Sequence, residues 1–401
     1  MQHLRNIMRQ FARLALSSYS SISSNFVESH AIWPSSELVD ERRSVLANIT
    51  TPKYSRKEVD RAGDGIIAQD VVGTPDRDAA LAIVGNWRSS HEYPTQSYYL
   101  DLRRRAIGLD RDAVVVQRLK RLPSIEQKLK RNRPSQADLR QPKMQLTQMQ
   151  DIGGCRAILK GCKDVRKLVD LYAKHQDVES IFKENDYINA PKSDGYRGVH
   201  LVYKYQPTSP HYSPEFNNMR VELQFRSRLQ HAWATGVEIV DTFTEQALKF
   251  GRGGNEWRRF FALMSNELAM REGMPLVPDT PTNKKELKDE LRELASRLQV
   301  LTRMEGWNKF LEITPEAKLE AAEVILLKLD LEARMLSATP FKEDARADEE
   351  YYRLEKKFEG SPHVQVVRVK ADSVKTLKTA YPNFYLNTTA FLSAVRQVIG
   401  K

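Results

Sequence analysis

Two short segments of the chain alternate between apolar and polar side chains, which is the pattern of half-buried β-strands. They span residues 199–205 and 219–226. Their polar positions are His200, Glu222, Gln224 and Arg226. If the two strands are neighbours, these side chains share one face of a sheet and form a wall of an active site.

Helical periodicity is predicted on both sides of these strands. Residues 76–108 form two helices with a polar and aromatic break at 86–94, where His91 is expected to be a structural hydrogen-bonding residue. Leucines that step by four and three over 287–301 predict a helix, and a partner helix from Thr314 through Leu329 would complete a helical hairpin. The alternative is that this row of leucines forms an oligomer interface.

These patterns predict an α/β (α+β) chain with four regions. They are a helical N-terminal extension (1–105), a central sheet domain (106–250), a helical region (256–340) and a small C-terminal α/β lobe (350–401). The lobe has a strand near 364–369 and a capped helix after Asn387, and a regulatory, partner-binding or structural role is open for it.

Composition narrows the function classes. The 401 residues carry a formal net charge of +11, which favours anionic partners such as nucleotides or RNA. Two cysteines cannot form a disulfide framework, and no apolar run is long enough to span a membrane, so a cytoplasmic protein is expected. Residues 1–27 lack acidic side chains, which is typical of a targeting peptide or of an amphipathic N-terminal helix.

The segment 187–203, a loop that runs into an alternating strand, is the most informative part of the chain. Lys192, Tyr196, Arg197 and His200 lie within nine residues, with Gly195 and Gly198 between them. Lysine and arginine donate charge-assisted hydrogen bonds to phosphates, a tyrosine ring stacks on a base, and glycine lets the backbone approach a ligand. The loop therefore predicts a nucleotide site.

Two earlier segments add phosphate and metal chemistry. The basic stretch 118–131 has Pro123 and Ser124 where a helix should begin, with Ser124 as its predicted cap. A helix N-terminus with free N–H groups suits a polyphosphate. A solvated basic helix is the alternative. Asp151 precedes a short buried strand, where its carboxylate can bind Mg²⁺.

Taken in order, these motifs resemble the synthetase domain of the RelA/SpoT family of alarmone synthetases. The resemblance rests on Arg118 through Ser124 and Lys128, on Asp151-x-x-Gly-x-Arg156, on Lys192-x-x-Gly-Tyr-Arg-x-x-His200 and on Glu222-x-Gln224, and it covers about residues 106–245. It implies a mixed β-sheet flanked by helices. It also implies a GTP diphosphokinase, which transfers pyrophosphate from ATP to the 3′-hydroxyl of GTP or GDP and releases AMP.

The resemblance also implies roles for individual residues. Adenine would lie between Arg118 and Arg156, and the ATP phosphates would contact Lys120, Ser124 and Lys128. Asp151 and Glu222 would share Mg²⁺, with Glu222 also a candidate base for the attacking hydroxyl. The residues expected at the acceptor nucleotide are Lys192, Tyr196, Arg197, His200 and Gln224.

Two positions depart from the family pattern, because Asn185 replaces a frequent basic residue and Gly198 a frequent serine. No His-Asp dipeptide occurs in the chain, so synthesis without hydrolysis is predicted. The alternatives are a toxic small synthetase that pyrophosphorylates the 3′ end of tRNA and a silent nucleotide- or RNA-binding module. An antitoxin or another protein regulator at the C-terminal lobe and a homo-oligomer are further expected partners.

Overall fold

The structure of the protein is a computed structural model. It describes residues 50–67, 75–132, 143–174, 181–206, 214–244, 254–308, 312–313, 324–358, 361, 363–370, 378–385 and 387–400. Asn48–Lys401 form one compact unit. The basic N-terminal segment 1–27 lies outside the described residues, so the predictions made for it stay predictions.

Helices of the described part surround the sheet. They are α1 (Arg56–Gly65), α2 (Pro75–Ser90), α3 (Glu92–Leu109), α4 (Leu122–Arg131), α5 (Cys162–Lys174), α6 (Arg228–Thr244), α7 (Asn255–Glu272), α8 (Lys284–Arg297), α9 (Val300–Asn308), α10 (Asp344–Lys357) and α11 (Thr389–Ile399). Within the described ranges, no helix is long and apolar enough to cross a membrane.

Nine strands of the described residues form one mixed sheet, in the order β3-β4-β5-β2-β1-β9-β7-β8-β6. The strands are β1 (Val114–Leu119), β2 (Gly153–Leu159), β3 (Ile181–Asp186), β4 (Val199–Lys204), β5 (Arg220–Ser227), β6 (Glu312–Ile313), β7 (Val324–Asp330), β8 (Met335–Phe341) and β9 (Val364–Lys370). Strands β2 and β5 are parallel, whereas β4 and β1 flank them antiparallel. The predicted α/β fold with a mixed sheet and the predicted strand pair are confirmed.

The two faces of the sheet have different environments because side chains alternate along each strand. On one face, Cys155, Leu201 and Leu223 join the core formed with α1–α3 and α5. His91 belongs to this side; its Nδ1 contacts the carbonyl oxygen of Trp87 at 2.8 Å, and burial lowers its pKa to about 4. The prediction of a structural histidine is confirmed. The opposite face carries the polar side chains.

The predicted helical hairpin is wrong in its second half. Residues 324–341 are strands β7 and β8 rather than a helix that starts at Thr314. The first half, α8, is a helix as predicted, but its leucines pack with Trp257, Phe260 and Phe391 in a separate core formed by α6, α7 and α11.

The C-terminal region continues the central sheet. Strand β9 lies between β1 and β7, and Arg118 of β1 pairs with Val369 of β9. The predicted strand at 364–369 is confirmed. The domain boundaries stay a prediction, but no break in the described sheet coincides with those near 250 and 350.

Candidate active site

Two adjacent rows of side chains on the polar face build the site. Cross-strand pairing joins Val116, Arg156, Gln224 and His200 in one row. In the next row it joins Arg118, Gly154, Glu222 and Val202. Positions two residues apart on a strand point to the same face, so both rows face the same space. Gly154 has no side chain, which leaves room between Arg118 and Glu222.

A cleft of about 400 Å³, counted with its open mouth, lies over these rows. Its lining includes Arg118, Lys120, Asp151, Arg156, Glu222, Gln224 and Tyr381. The structure therefore brings the two predicted carboxylates and the two predicted adenine-binding arginines into one cavity. Burial, together with neighbouring Arg226 and Arg118, lowers the pKa of Arg156 to about 10, so its guanidinium still carries a charge at neutral pH. Clustered cations of this kind favour an anionic ligand.

Asp151 holds two of the predicted phosphate-binding lysines. Its carboxylate accepts from Lys120 Nζ at 2.9 Å and from Lys128 Nζ at 2.8 Å. Burial opposes ionisation, but the two ammonium groups outweigh it and hold the pKa of Asp151 well below its usual range. The carboxylate is therefore ionised and the lysines are held at the cleft.

Glu222 belongs to a hydrogen-bonded chain that reaches the loop. Its Oε1 lies 2.9 Å from His200 Nδ1, and its Oε2 accepts from Gln224 Nε2 at 2.7 Å. His200 Nε2 lies 2.5 Å from the Tyr196 hydroxyl, which also accepts from Arg226 Nη2 at 2.8 Å. The prediction that these polar side chains gather on one face is confirmed.

Charges within this chain stabilise one another. Burial alone would raise the pKa of Glu222, but His200 lowers it overall. Burial likewise disfavours a charged imidazole, yet Tyr196 and Glu222 raise the pKa of His200 to about 9. Arg226 and His200 outweigh burial and lower the pKa of the Tyr196 hydroxyl to about 8. The network is therefore rich in charge at neutral pH.

The structure places Arg197 away from the cleft. It is 3% exposed and donates to the Ser265 hydroxyl and to the carbonyl oxygens of Ile188 and Pro275. Each of the three guanidinium nitrogens has a protein partner, which supports a structural role; the predicted contact of Arg197 with acceptor phosphates stays a prediction. Arg197 is a positioning residue that fastens the Tyr196 loop to α7.

Glycine is required where the loop meets the helices. Gly195 has φ +89°, and a Cβ there would lie 2.9 Å from Ser265 Cβ and 3.0 Å from the Trp233 ring. Gly198 has φ +151° and pairs its carbonyl oxygen with the Tyr187 N–H at 3.0 Å. A serine at position 198, which is frequent in the family pattern, would therefore need a different backbone conformation.

Lys192 is exposed at the outer side of the loop. Its Nζ lies 4.4 Å from the centre of the Tyr187 ring and 5.4 Å from that of Tyr196. A cation held over two aromatic rings is positioned without using its hydrogen-bond donors, which stay available for an anion.

The basic helix begins near Pro123 and Ser124 as predicted, but the predicted serine cap is wrong. Helix α4 begins at Leu122, with Arg121 at its N-cap, so Ser124 lies inside the first turn and does not cap it. The Leu122 N–H donates instead to Glu355 Oε1 of α10 at 2.9 Å. A carboxylate of the chain therefore occupies part of the helix end that was predicted to bind polyphosphate. Lys128, on the same helix, donates to Asp151 at the edge of the cleft.

Sequence reasoning assigned no role to Tyr381, although it lines the cleft. Its signal is absent from the sequence because Tyr381 lies in a segment with no recognisable motif, far along the chain from Arg118 and Arg156. Arg226 was predicted on the polar face but without a role; it binds the Tyr196 hydroxyl.

The donor atoms fit a magnesium ion that arrives with a polyphosphate. Asp151 and Glu222 are ionised oxygen donors in one cleft, and Gln224 Oε1 is buried without a protein partner among the described residues. In these residues, no cluster of three or more His, Cys, Asp or Glu side chains could hold an ion by itself. Magnesium commonly takes only one or two carboxylates and completes its shell with phosphate and water.

Comparison with known proteins identifies the central region. The model of the region found in RelA and SpoT proteins matches residues 117–246. The chain therefore contains a RelA/SpoT region, which confirms the resemblance inferred from the motifs. The GTP pyrophosphokinase YwaC of Bacillus subtilis (strain 168) is 33% identical over 85 residues, which are 21% of this chain and 39% of that protein. The match thus spans well under half of this relative.

Two solved structures are also similar. The small alarmone synthetase 1 from Bacillus subtilis is 21% identical, with 45% of this chain and 86% of that chain covered and a TM-score of 0.33. A GTP pyrophosphokinase family protein from Streptococcus pneumoniae is 23% identical, with 50% and 92% covered and a TM-score of 0.33.

Proposed function

We propose that this chain is an alarmone synthetase, a GTP diphosphokinase that transfers pyrophosphate from ATP to the 3′-hydroxyl of GTP or GDP. The observation that carries the proposal is the shared cleft of Asp151, Glu222, Arg118 and Arg156 within a RelA/SpoT region. In the reaction, the acceptor 3′-hydroxyl gives up its proton, for which Glu222 is the candidate base, and a bond forms between the 3′-oxygen and the β-phosphorus. The bond from that phosphorus to the α,β-bridging oxygen breaks, and AMP leaves.

The donor would bind with its phosphates at the lysine end of the cleft. Lys120 and Lys128 are held there by Asp151, close to the place where negative charge would arrive. On donor binding, the two lysines would exchange the Asp151 carboxylate for phosphate oxygens. This exchange would free the Asp151 carboxylate to bind another cation. Positioned charges of this kind are the main source of catalysis in phosphoryl transfer.

Magnesium held by Asp151 and Glu222 would neutralise charge on the phosphates. The pKa of Glu222 is lowered overall, because the pull of His200 exceeds the effect of burial. A carboxylate with a lowered pKa is a better metal ligand than a proton acceptor, since a general base works best with a pKa near the working pH. The role of Glu222 as a base stays a prediction.

The acceptor would enter from the loop side. Tyr196 and His200 join the loop to Glu222 through direct hydrogen bonds, and Lys192 lies at the outer end. A nucleotide between them would meet aromatic rings at its base and a cation at its phosphates. Alignment of two bound substrates supplies much of the rate, so no covalent nucleophile is required.

Pyrophosphorylation of an RNA 3′ end is the second candidate function, and one surface favours it. Phe182 on edge strand β3 is 40% exposed, with Lys204 Nζ at 4.2 Å and Arg220 at 4.7 Å from its ring centre. Lys204 of β4 pairs with Arg220 of β5. Arg220 precedes Glu222 by two residues on β5, so this surface lies next to the cleft. Exposed aromatics with neighbouring cations are a common surface for single-stranded nucleic acids.

A transfer assay tests both candidates. ATP labelled in its β- and γ-phosphates is incubated with the protein, Mg²⁺ and either GTP, GDP or deacylated tRNA. We expect label on GTP or GDP, and a loss of roughly 10²–10³ in rate for Glu222→Gln. Label on tRNA alone would favour the second candidate, and label on no acceptor would favour a silent binding module. The two ionised carboxylates in the cleft argue against that last alternative.

The remaining expectations about the whole protein are proposals as well. They are synthesis without hydrolysis, a cytoplasmic location, a homo-oligomer, and an antitoxin or other regulator at the C-terminal region. A hydrolysis assay with the labelled product addresses the first of these, because any release of pyrophosphate from that product would contradict it.

A further inference from the structure

The cleft has chemically different ends. At one end Lys120 and Asp151 provide an ammonium and a carboxylate group. At the other end Val116, Tyr381 and the flat, charged guanidinium of Arg156 provide apolar, aromatic and planar surface. Val116 and Lys120 are four residues apart on extended chain, about 13 Å at 3.3 Å per residue. Because the two ends differ, they favour one orientation of a bound nucleotide, with its phosphates at the lysine end and its base at the aromatic end.

The Tyr381 side chain is fixed in place. It is 2% exposed, and its hydroxyl donates to the carbonyl oxygen of Gln117 on β1 at 3.1 Å. Two residues earlier, the carbonyl oxygen of Thr379 lies 2.9 Å from His231 Nε2. A carbonyl oxygen only accepts, so Nε2 carries the proton, and burial lowers the pKa of His231 to about 3. The histidine is therefore a neutral anchor.

Residues 378–385 are also held by packing. Ala380, Tyr381 and Phe384 share a core with Val116 of β1, Val369 of β9 and Ile239 of α6. The segment thus belongs to the body of the fold. A ring held by the strand that carries Arg118 cannot swing away without breaking this core, so it acts as a wall of the cleft.

We propose that Tyr381 contacts the base of the donor nucleotide and limits how deeply that base enters, which makes it a determinant of donor specificity. The inference rests on the proposed function, because it takes the Arg118–Arg156 end of the cleft as the donor site. Tyr381 lies outside residues 117–246, so this contact is contributed by the C-terminal part of the chain.

Direct binding tests the inference separately from catalysis. The full chain is titrated by calorimetry with a non-hydrolysable α,β-methylene ATP analogue and, separately, with GTP. Loss of an aromatic contact to a base typically weakens binding between about fivefold and a hundredfold. We expect Tyr381→Ala to weaken the ATP analogue about tenfold and to leave GTP affinity within about twofold. Tyr381→Phe keeps the ring and should stay within about threefold of the wild type.

Phe384→Ala is the matched control, because it removes a buried ring of the same segment that does not line the cleft. It should lower the melting temperature without changing affinity for the ATP analogue. If Tyr381→Ala does not fold, Tyr381→Leu keeps apolar volume without the aromatic ring and should show the same weakening.

Unchanged affinity for the ATP analogue in folded Tyr381→Ala or Tyr381→Leu would overturn the inference. Tighter binding by either variant would overturn it as well, because it would mean that the ring occupies the place of the base. The proposed function can fail independently. A wild-type chain that binds the ATP analogue through Tyr381 but transfers no pyrophosphate would refute the function and leave the inference standing.

Discussion

Replacing Asp151 by asparagine should destabilise the protein as well as inactivate it. The carboxylate is the common partner of Lys120 and Lys128, and asparagine keeps its shape without its charge. In the variant, two ammonium groups face each other in a cleft where the three side chains are 17–22% exposed. Neither lysine would have a counter-ion at this position.

The structure sets the size of the effect. Hydrogen bonds to charged groups contribute about 1.5–3 kcal/mol each, and breaking a buried ion pair costs about 3–5 kcal/mol. Partial exposure allows water to reach the lysines, so we expect about 3 kcal/mol of lost unfolding free energy for the two contacts together. At about 2 °C per kcal/mol for a unit of this size, the melting temperature should fall by roughly 6 °C.

Urea denaturation in EDTA measures the effect without metal. Asp289→Asn is the control, because Asp289 is exposed and its contact of 2.8 Å with Arg292 lies at the surface; this change should alter stability by under about 0.5 kcal/mol. Adding Lys128→Met to Asp151→Asn removes one of the stranded charges and should restore about 1 kcal/mol. An Asp151→Asn protein as stable as the wild type would refute the ion-pair reasoning.

The other predictions concern the loop and its anchors. Gly195→Ala should cost about 2 kcal/mol because of its positive φ and close contacts, whereas Gly161→Ala, with open space around it, should be nearly neutral in urea denaturation; equal effects would contradict the packing argument. Arg197→Lys loses the planar set of donors, so it should lower the unfolding free energy by about 3 kcal/mol. It should also raise the KM for the acceptor more than the KM for ATP; a change in the KM for ATP alone would contradict a role of Arg197 in positioning the loop. Asp186 binds Arg166 and two backbone N–H groups, and despite burial these partners lower its pKa below 3.8. Its contribution to stability is complete above that pH and lost as the pH falls further. Asp186→Asn should therefore destabilise the protein at pH 7 but approach the wild-type stability in acid; a difference in unfolding free energy that stays constant with pH would show that the Asp186 charge is not its cause.

Sequence patterns predicted the parts of the site that lie on regular strands. Alternation placed His200, Glu222 and Gln224 on one face, and the structure has them there because the strands are half buried. Alternation fails for β7, whose residues 324–327 are all buried between neighbouring strands and packed helices. A strand that is buried on both faces reads as a continuous apolar run, which periodicity cannot distinguish from a helix.

Residues next to glycines were harder to place. Arg197 lies between Tyr196 and Gly198, where the backbone leaves the regular strand, so no periodicity indicates which way its side chain points. Ser124 was predicted as a helix cap, but the helix starts two residues earlier and its end is satisfied by Glu355, a partner more than two hundred residues away. Contacts at such separation leave no local pattern in a single sequence.

The position of β9 beside β1 also has a consequence for biosynthesis. Residues 364–370 supply the neighbour of β1 and Tyr381 lines the cleft, so the cleft is incomplete until both have left the ribosome. Pairing of strands so distant in sequence is slow, because a large loop must close first. A nascent chain therefore cannot assemble this cleft before β9 and Tyr381 have been translated.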